Sequence, residues 1–226
     1  MLFRSIEHDL LIIAVLVENI RRVVARFRTY LDERGTEVSY AKPYFELEDG
    51  RLAVRHVPPP KKPIPPLELP PDQRQFVDRG GRFALMRKVV AKTGLREMAQ
   101  RLTKYQPVPE YDRPDHPAWR LMRAILAEWI GGHDGPVLMV PIPLYQCIEG
   151  TANASGYQAR FRELAEATGC ALHDPLPDLV KHPPDDRRRF RFEKDVHLSP
   201  EGHAALAASL APAIRRVLAG QIVAGR

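Results

Sequence analysis

Eight consecutive apolar residues, Leu10-Leu11-Ile12-Ile13-Ala14-Val15-Leu16-Val17, stand between Glu7-His8-Asp9 and Glu18, and no other stretch restricts the fold as much. The run is shorter than the ~20 residues needed to cross a bilayer and its charged flanks suit neither a membrane span nor a signal peptide. Its β-branched content reads instead as a strand buried on both faces of a parallel sheet. Pro136-Val137-Leu138-Met139-Val140-Pro141-Ile142-Pro143 is a second such run, with prolines closing both ends, and Cys170-Ala171-Leu172-His173 is a short third one. Helical patterns lie between them, and strands alternating with helices predict an α/β domain with a mostly parallel sheet.

The patterns between the strands are specific. Ile20, Val24, Phe27 and Leu31 keep helical spacing up to Gly35, which puts Glu18-Asn19 at a strand-to-helix turn, the carboxyl end where open α/β sheets place ligands. Asn19 is there either a polar group of a site or a plain helix N-cap. Tyr44 to Val57 predicts a β-hairpin around Asp49-Gly50, with Glu48 against Arg51, Leu47 against Leu52 and Phe45 against Val54. Pro58 to Pro71 holds eight prolines and reads as a stiff extended connector, residues 57–71 in all. Phe76 to Leu102 is helically patterned, broken at Gly80-Gly81 and Gly94. Trp119, Met122, Ile125, Leu126 and Trp129 predict a helix from Pro117 to Gly131-Gly132, with both tryptophans as core; a stacking platform for bases or sugars is the alternative. After the second strand, the loop Leu144 to Ser155 offers Tyr145, Gln146, Glu149 and Asn153, of which Tyr145, Gln146 and Asn153 are the candidate substrate contacts. Tyr157, Phe161 and Leu164 then mark a helix ending at Gly169.

Composition narrows the class. At 226 residues and 44% hydrophobic content, the chain suits one domain, residues 1–226, with a sizeable core. A net charge of +6 permits an anionic partner, but the basic residues are interleaved with acidic ones, so neither nucleic acid nor a membrane is expected as a partner. Asp185 to Phe192 combines four arginines with two phenylalanines; it reads as a solvated segment, or as one that lends an arginine to a neighbouring site. Cys147 and Cys170 are isolated, which indicates neither a disulfide framework nor a zinc site. No cofactor is called for, and without an export signal in this sequence the default expectation is a cytoplasmic protein.

The chemistry concentrates near the end of the chain. Ser199 is a good N-cap, Pro200 suits the first helical position, and Leu206, Leu210, Ile214 and Val217 share a face of a helix running to about Leu218. His197 therefore lies just before a helix N-terminus, where the dipole disfavours imidazolium and a carboxylate such as Asp195 fixes the tautomer and restores basicity. That is the setting of a general base, although an Asp and a His two apart also make an ordinary satisfied turn.

The block Asp195-Val196-His197-Leu198-Ser199-Pro200-Glu201-Gly202-His203, followed by an Ala/Leu-rich helix, resembles the last motif of the SGNH (GDSL-like) hydrolases. The hairpin with Lys42-Pro43-Tyr44-Phe45 is similar to a subset of bacterial members. The resemblance implies a three-layer flavodoxin-like fold with an inserted β-hairpin. The implied activity is hydrolysis of an acyl or acetyl ester, carbohydrate-linked esters included, by Asp195, His197 and Asn19, the last as an oxyanion donor. The spacing departs from the commoner Asp-x-x-His, and the turn Val17-Glu18-Asn19-Ile20 lacks the Gly of the family's Asn motif. Ser5, Ser39, Ser155, Ser199 and Ser209 occur in no strand-then-Ser context, and the family's Gly-Asp-Ser nucleophile motif is absent. The resemblance thus covers Leu10 to Ala219, matched to the latter part of the family domain, and implies an amino-truncated hydrolase, weakly active or inactive as it stands. Two alternatives stay open. One is a non-enzymatic remnant that binds a partner through a vacant sheet edge; the other is a metal hydrolase using Asp195, His197 and His203.

Overall fold

The structure, a computed structural model, describes residues 8–74, 105–193, 195 and 197–221. Its centre is a small parallel sheet. Strand β1, Leu11–Leu16, pairs along its whole length with a later strand, Val137–Ile142, in the register Leu11 to Val137 through Leu16 to Ile142. The later strand in turn pairs with the two-residue strand Ala171–Leu172, and these three form one sheet in chain order. Because β1 and its partner end flush, the turns that follow them leave the same carboxyl edge at the same level.

Past β1 the chain departs from the helix expected up to Gly35. A 3-10 turn, Val17–Asn19, leads into α1, Ile20–Val24, which stops at once: Ala25 is extended, and the Arg26 N–H donates to Gln73 Oε1 at 2.7 Å. Phe27–Leu31 is then β2, antiparallel to β3, Glu37–Ala41, around a turn in which Asp32 Oδ1 accepts from the Arg34 and Thr36 amides and Gly35 has φ +74°. Aromatic and β-branched side chains at Phe27, Thr29 and Tyr30 favour this pairing over the helical spacing. The second hairpin is as expected, with β4, Tyr44–Glu48, against β5, Arg51–Arg55, in the predicted register, and Asp49 and Gly50 both at positive φ. The proline-rich stretch runs on to α2, Pro71–Arg74, touching the first hairpin through the Ser39 to Ile64 bridge. The helical patterning of Phe76 to Leu102 lies outside the described residues.

Helix α3, Pro117–Gly131, begins where Pro117 fixes the first turn and His116 Nδ1 accepts from the Ala118 amide. It leads to the central strand, β6 (Val137–Ile142). Next come α4, Tyr145–Ile148; α5, Ser155–Thr168, ended by Gly169 at φ +74°; and β7, Ala171–Leu172. The short helices α6, Leu176–Leu179, and α7, Pro184–Arg189, precede α8, Pro200–Leu218.

One face of the sheet carries Ile13, Val15, Val137 and Met139 against the apolar faces of α3 and α5, with Tyr111, Trp119 and Phe161 packed ring against ring at 5.6 to 6.0 Å. Trp119 belongs to this core. Trp129 does not, being 56% exposed in the last turn of the helix.

On the other face Leu138, Val140 and Ala171 are buried beneath Ala213 and Val217 of α8. That helix covers β6 and β7 but not β1. Ile12 and Ala14, in register with Leu138 and Val140, are exposed, Ile12 to 40%, so β1 is not the doubly buried strand its composition predicts. Among the described residues, no strand pairs with the other edge of β1.

Candidate active site

The last helix sets the geometry. Ser199 Oγ accepts from the Gly202 amide at 3.2 Å and donates to the Arg189 carbonyl, so one hydroxyl both caps α8 and ties it to the end of α7. Gly202 is buried with its α-carbon against the Phe190 carbonyl, and the Ser199 amide donates to the same carbonyl at 2.9 Å. Arg191 and Phe192 then form one arm of a small hairpin and His197 and Leu198 the other, joined by the Arg191 to Leu198 bridge and by the Phe192 amide donating to the His197 carbonyl at 3.2 Å.

Within it, His197 Nδ1 lies 2.6 Å from Asp195 Oδ1, and the same oxygen accepts from the His197 amide at 3.2 Å. A carboxylate can only accept, so Nδ1 carries the proton and Nε2 is the basic nitrogen. Both side chains are largely exposed, 73% for His197 and 55% for Asp195, so solvent screens the pair.

Asn19 stands three residues beyond the end of β1. It occupies the position before α1 in helical backbone conformation, with no side-chain capping bond, and its Oδ1 is buried without a partner. That geometry is not a plain N-cap, whose residue is extended and whose oxygen accepts from the helix. Gln146, four residues beyond the end of β6, likewise has a buried Oε1 without a partner. Two amide side chains thus follow two adjacent, flush strand ends, each with a buried acceptor oxygen that no donor meets, unlike the great majority of buried polar atoms. Tyr145, next to Gln146 in α4, has the Arg191 guanidinium over its ring at 4.6 Å. Asn153 is more committed: its Oδ1 accepts from the Ser155 amide and its amide donates to the Tyr105 carbonyl.

The elements behind the site hold it through bonds between residues far apart in the chain. The Tyr111 hydroxyl donates to the Val17 carbonyl at 2.8 Å, fixing the turn that carries Asn19. Arg187 Nη1 donates to the Ile148 carbonyl and Arg191 Nε to Glu149 Oε1 at 2.7 Å, which docks the base of the His197 hairpin on α4. The rest of the arginine run is solvated, Arg188 and Arg189 pairing with Asp185 and Asp186 one turn back along α7.

Ser209 makes the other serine, histidine and aspartate arrangement. Its Oγ is 2.8 Å from His173 Nε2 and donates to Asp178 Oδ2 at 2.8 Å. With its proton on Asp178, Ser209 receives one from His173, the reverse of what a nucleophile gives its base, so this trio fastens α8 to α6 and β7. A cleft of about 1080 Å³ lies elsewhere, lined by Arg21, Arg26, Tyr44, Asp72, Glu110 and His116 among others, away from His197.

No family model, curated protein or solved structure matches the chain. Its chemistry therefore rests on its own residues. Among those described, no three His, Cys, Asp or Glu side chains gather as metal ligands, and no helix is long and apolar enough to cross a membrane.

Proposed function

We propose that the chain carries the acid and base part of an SGNH-type (GDSL-like) ester hydrolase, on a scaffold of the three-layer flavodoxin-like kind, acting on an acyl or acetyl ester of a small molecule or carbohydrate. The observation that carries this reading is the 2.6 Å contact from His197 Nδ1 to Asp195 just before a 19-residue helix, in a segment that Arg191 ties to Glu149 after β6. In this reading His197 Nε2 takes the proton of an attacking hydroxyl. Asp195 holds the ring and stabilises the imidazolium that forms, and the Asn19 amide, joined by that of Gln146, donates to the tetrahedral oxyanion. Tyr145 and Asn153 line the substrate side.

The attacking serine is the missing part: among the described residues, Ser199 and Ser209 give their protons to the Arg189 carbonyl and to Asp178, and no serine hydroxyl bonds His197 Nε2. A strand bearing Gly-Asp-Ser and paired with the open edge of β1 would bring one to the same carboxyl edge. Without it, His197 has only water to activate among the groups described, and turnover falls by orders of magnitude. The 226-residue chain is therefore expected to hydrolyse p-nitrophenyl acetate no faster than its His197→Ala variant. A version extended upstream with a Gly-Asp-Ser strand should hydrolyse it and lose activity on changing that Ser or His197. Robust His197-dependent turnover by the 226-residue chain would show that it holds its own nucleophile.

The exposed Ile12 and Ala14 and the open edge of β1 favour a second reading, a non-enzymatic protein that binds a partner strand there. A folded but inert extended version would select it.

A further inference from the structure

The Asp195 and His197 pair sits in an exposed hairpin whose own bonds are local, and a catalytic base has to be held to within about 0.5 Å of its working position. The hairpin's base shows what holds it. On one side Ser199 and Gly202 lock residues 189 and 190 onto α8. On the other, Arg191 is clamped between two residues that follow β6: its guanidinium lies over Tyr145 at 4.6 Å, and its Nε donates to Glu149 at 2.7 Å. Glu149 is the better buried of the two, with a side chain 7% exposed against 24% for Arg191. A carboxylate this far out of water is costly unless paired, so the contact differs in kind from the exposed arginine pairs of α7.

Resting on the hydrolase reading above, we infer that Glu149 and Arg191 are positioning residues, a strut that fixes the Asp195 and His197 hairpin against the carboxyl end of β6, where substrate would lie. They act through Arg191's place at the foot of the hairpin, one residue before Phe192, whose amide bonds the His197 carbonyl. Tyr145, being both a substrate-side residue and the ring under Arg191, links what occupies the loop after β6 to the placement of the base.

The test is ¹⁵N relaxation of the full chain, comparing the unchanged protein with Glu149→Gln, Arg191→Gln and the milder Arg191→Lys. The backbone order parameters at Phe192 and His197 should fall from the rigid range near 0.85 to below about 0.6 in both Gln variants. Values in β6 and α8 should stay unchanged, and Arg191→Lys should fall in between. Unchanged values at Phe192 and His197 in Arg191→Gln would overturn the strut, as would an equal loosening of β6 and α8. Should Glu149→Gln fail to fold, the two Arg191 variants, at a more exposed residue, still decide. In the version bearing a Gly-Asp-Ser strand, the strut predicts a kcat at least tenfold lower in Arg191→Gln with KM within twofold. Relaxation needs no turnover, so an inert extended version would remove the hydrolase reading while leaving the strut to stand or fall on the order parameters.

Discussion

Gly202, in the first turn of α8, lies so close to the Phe190 carbonyl that a Cβ at this position would meet that oxygen well inside 3.0 Å and its carbon at 2.9 Å. The obstacle is backbone, so no side-chain rotation relieves it. Gly202→Ala is expected to cost about 1–3 kcal/mol in urea unfolding, the range for overpacking a tight contact. Because residue 190 anchors the His197 hairpin, the amide shifts of residues 190–199 should move as well. A variant as stable as the parent would show that α8 does not seat against Phe190 in this way.

Tyr111 holds the turn before Asn19. Its hydroxyl is buried, burial pushes it far above the usual phenol range, and its donated proton goes to the Val17 carbonyl. Tyr111→Phe leaves that carbonyl without this donor and is expected to cost about 1–3 kcal/mol, measurable by denaturant midpoint. The Asn19 side-chain amide resonances should broaden in the same variant as its turn loosens.

Asp195→Asn exchanges an obligate acceptor for a group that can also donate to His197 Nδ1. The imidazole nitrogen shifts, read by long-range ¹H–¹⁵N correlation at pH 8, are expected to show the proton on Nδ1 in the parent chain and a shift towards the Nε2–H tautomer in the variant. Identical spectra would mean that the 2.6 Å contact does not set the tautomer in solution.

His173 gives the fold a dependence on pH whose sign can be worked out. Burial pushes its imidazole below the usual histidine range, against the opposing pull of Asp178 and Asp174, and Arg216 adds to the lowering. A histidine held neutral in the fold binds its proton more readily when unfolded, so its contribution is present above about pH 6.5 and is lost as pH falls from there towards the folded value. Asp178, depressed by its bonds from Lys181 and Ser209, adds a second loss only below its ordinary range, near pH 3.8. Urea midpoints from pH 8 to 5 should therefore decline in the parent chain and flatten in His173→Gln. An equal decline in both would assign the effect to other groups.

Continuous apolar runs and capping residues carried most of the legible fold. β6 was readable to the residue, α8 from its Ser-Pro start, and the β4 to β5 register from Asp49-Gly50. The helix expected through Leu31 failed because the deciding partner, Gln73, lies 47 residues from Arg26 and leaves no trace in the local pattern. The same distance problem hid the strut: Glu149 read as one polar loop residue and Arg191 as one of a run of arginines, 42 positions apart. The exposure of Ile12 was also unreadable, since a strand's composition does not say how many of its neighbours α8 covers.

The flank of β1 with which no described strand pairs bears on how the protein behaves in concentrated solution. Leu11–Leu16 has no charge, proline or glycine among its six residues, the composition of segments that stack into fibrils when their backbone groups are left unmatched. Asp9 and Glu18 stand just outside the two ends, where like charges from stacked copies would be brought together. Neutralising both is expected to make the chain form thioflavin-positive aggregates at concentrations where the parent forms none.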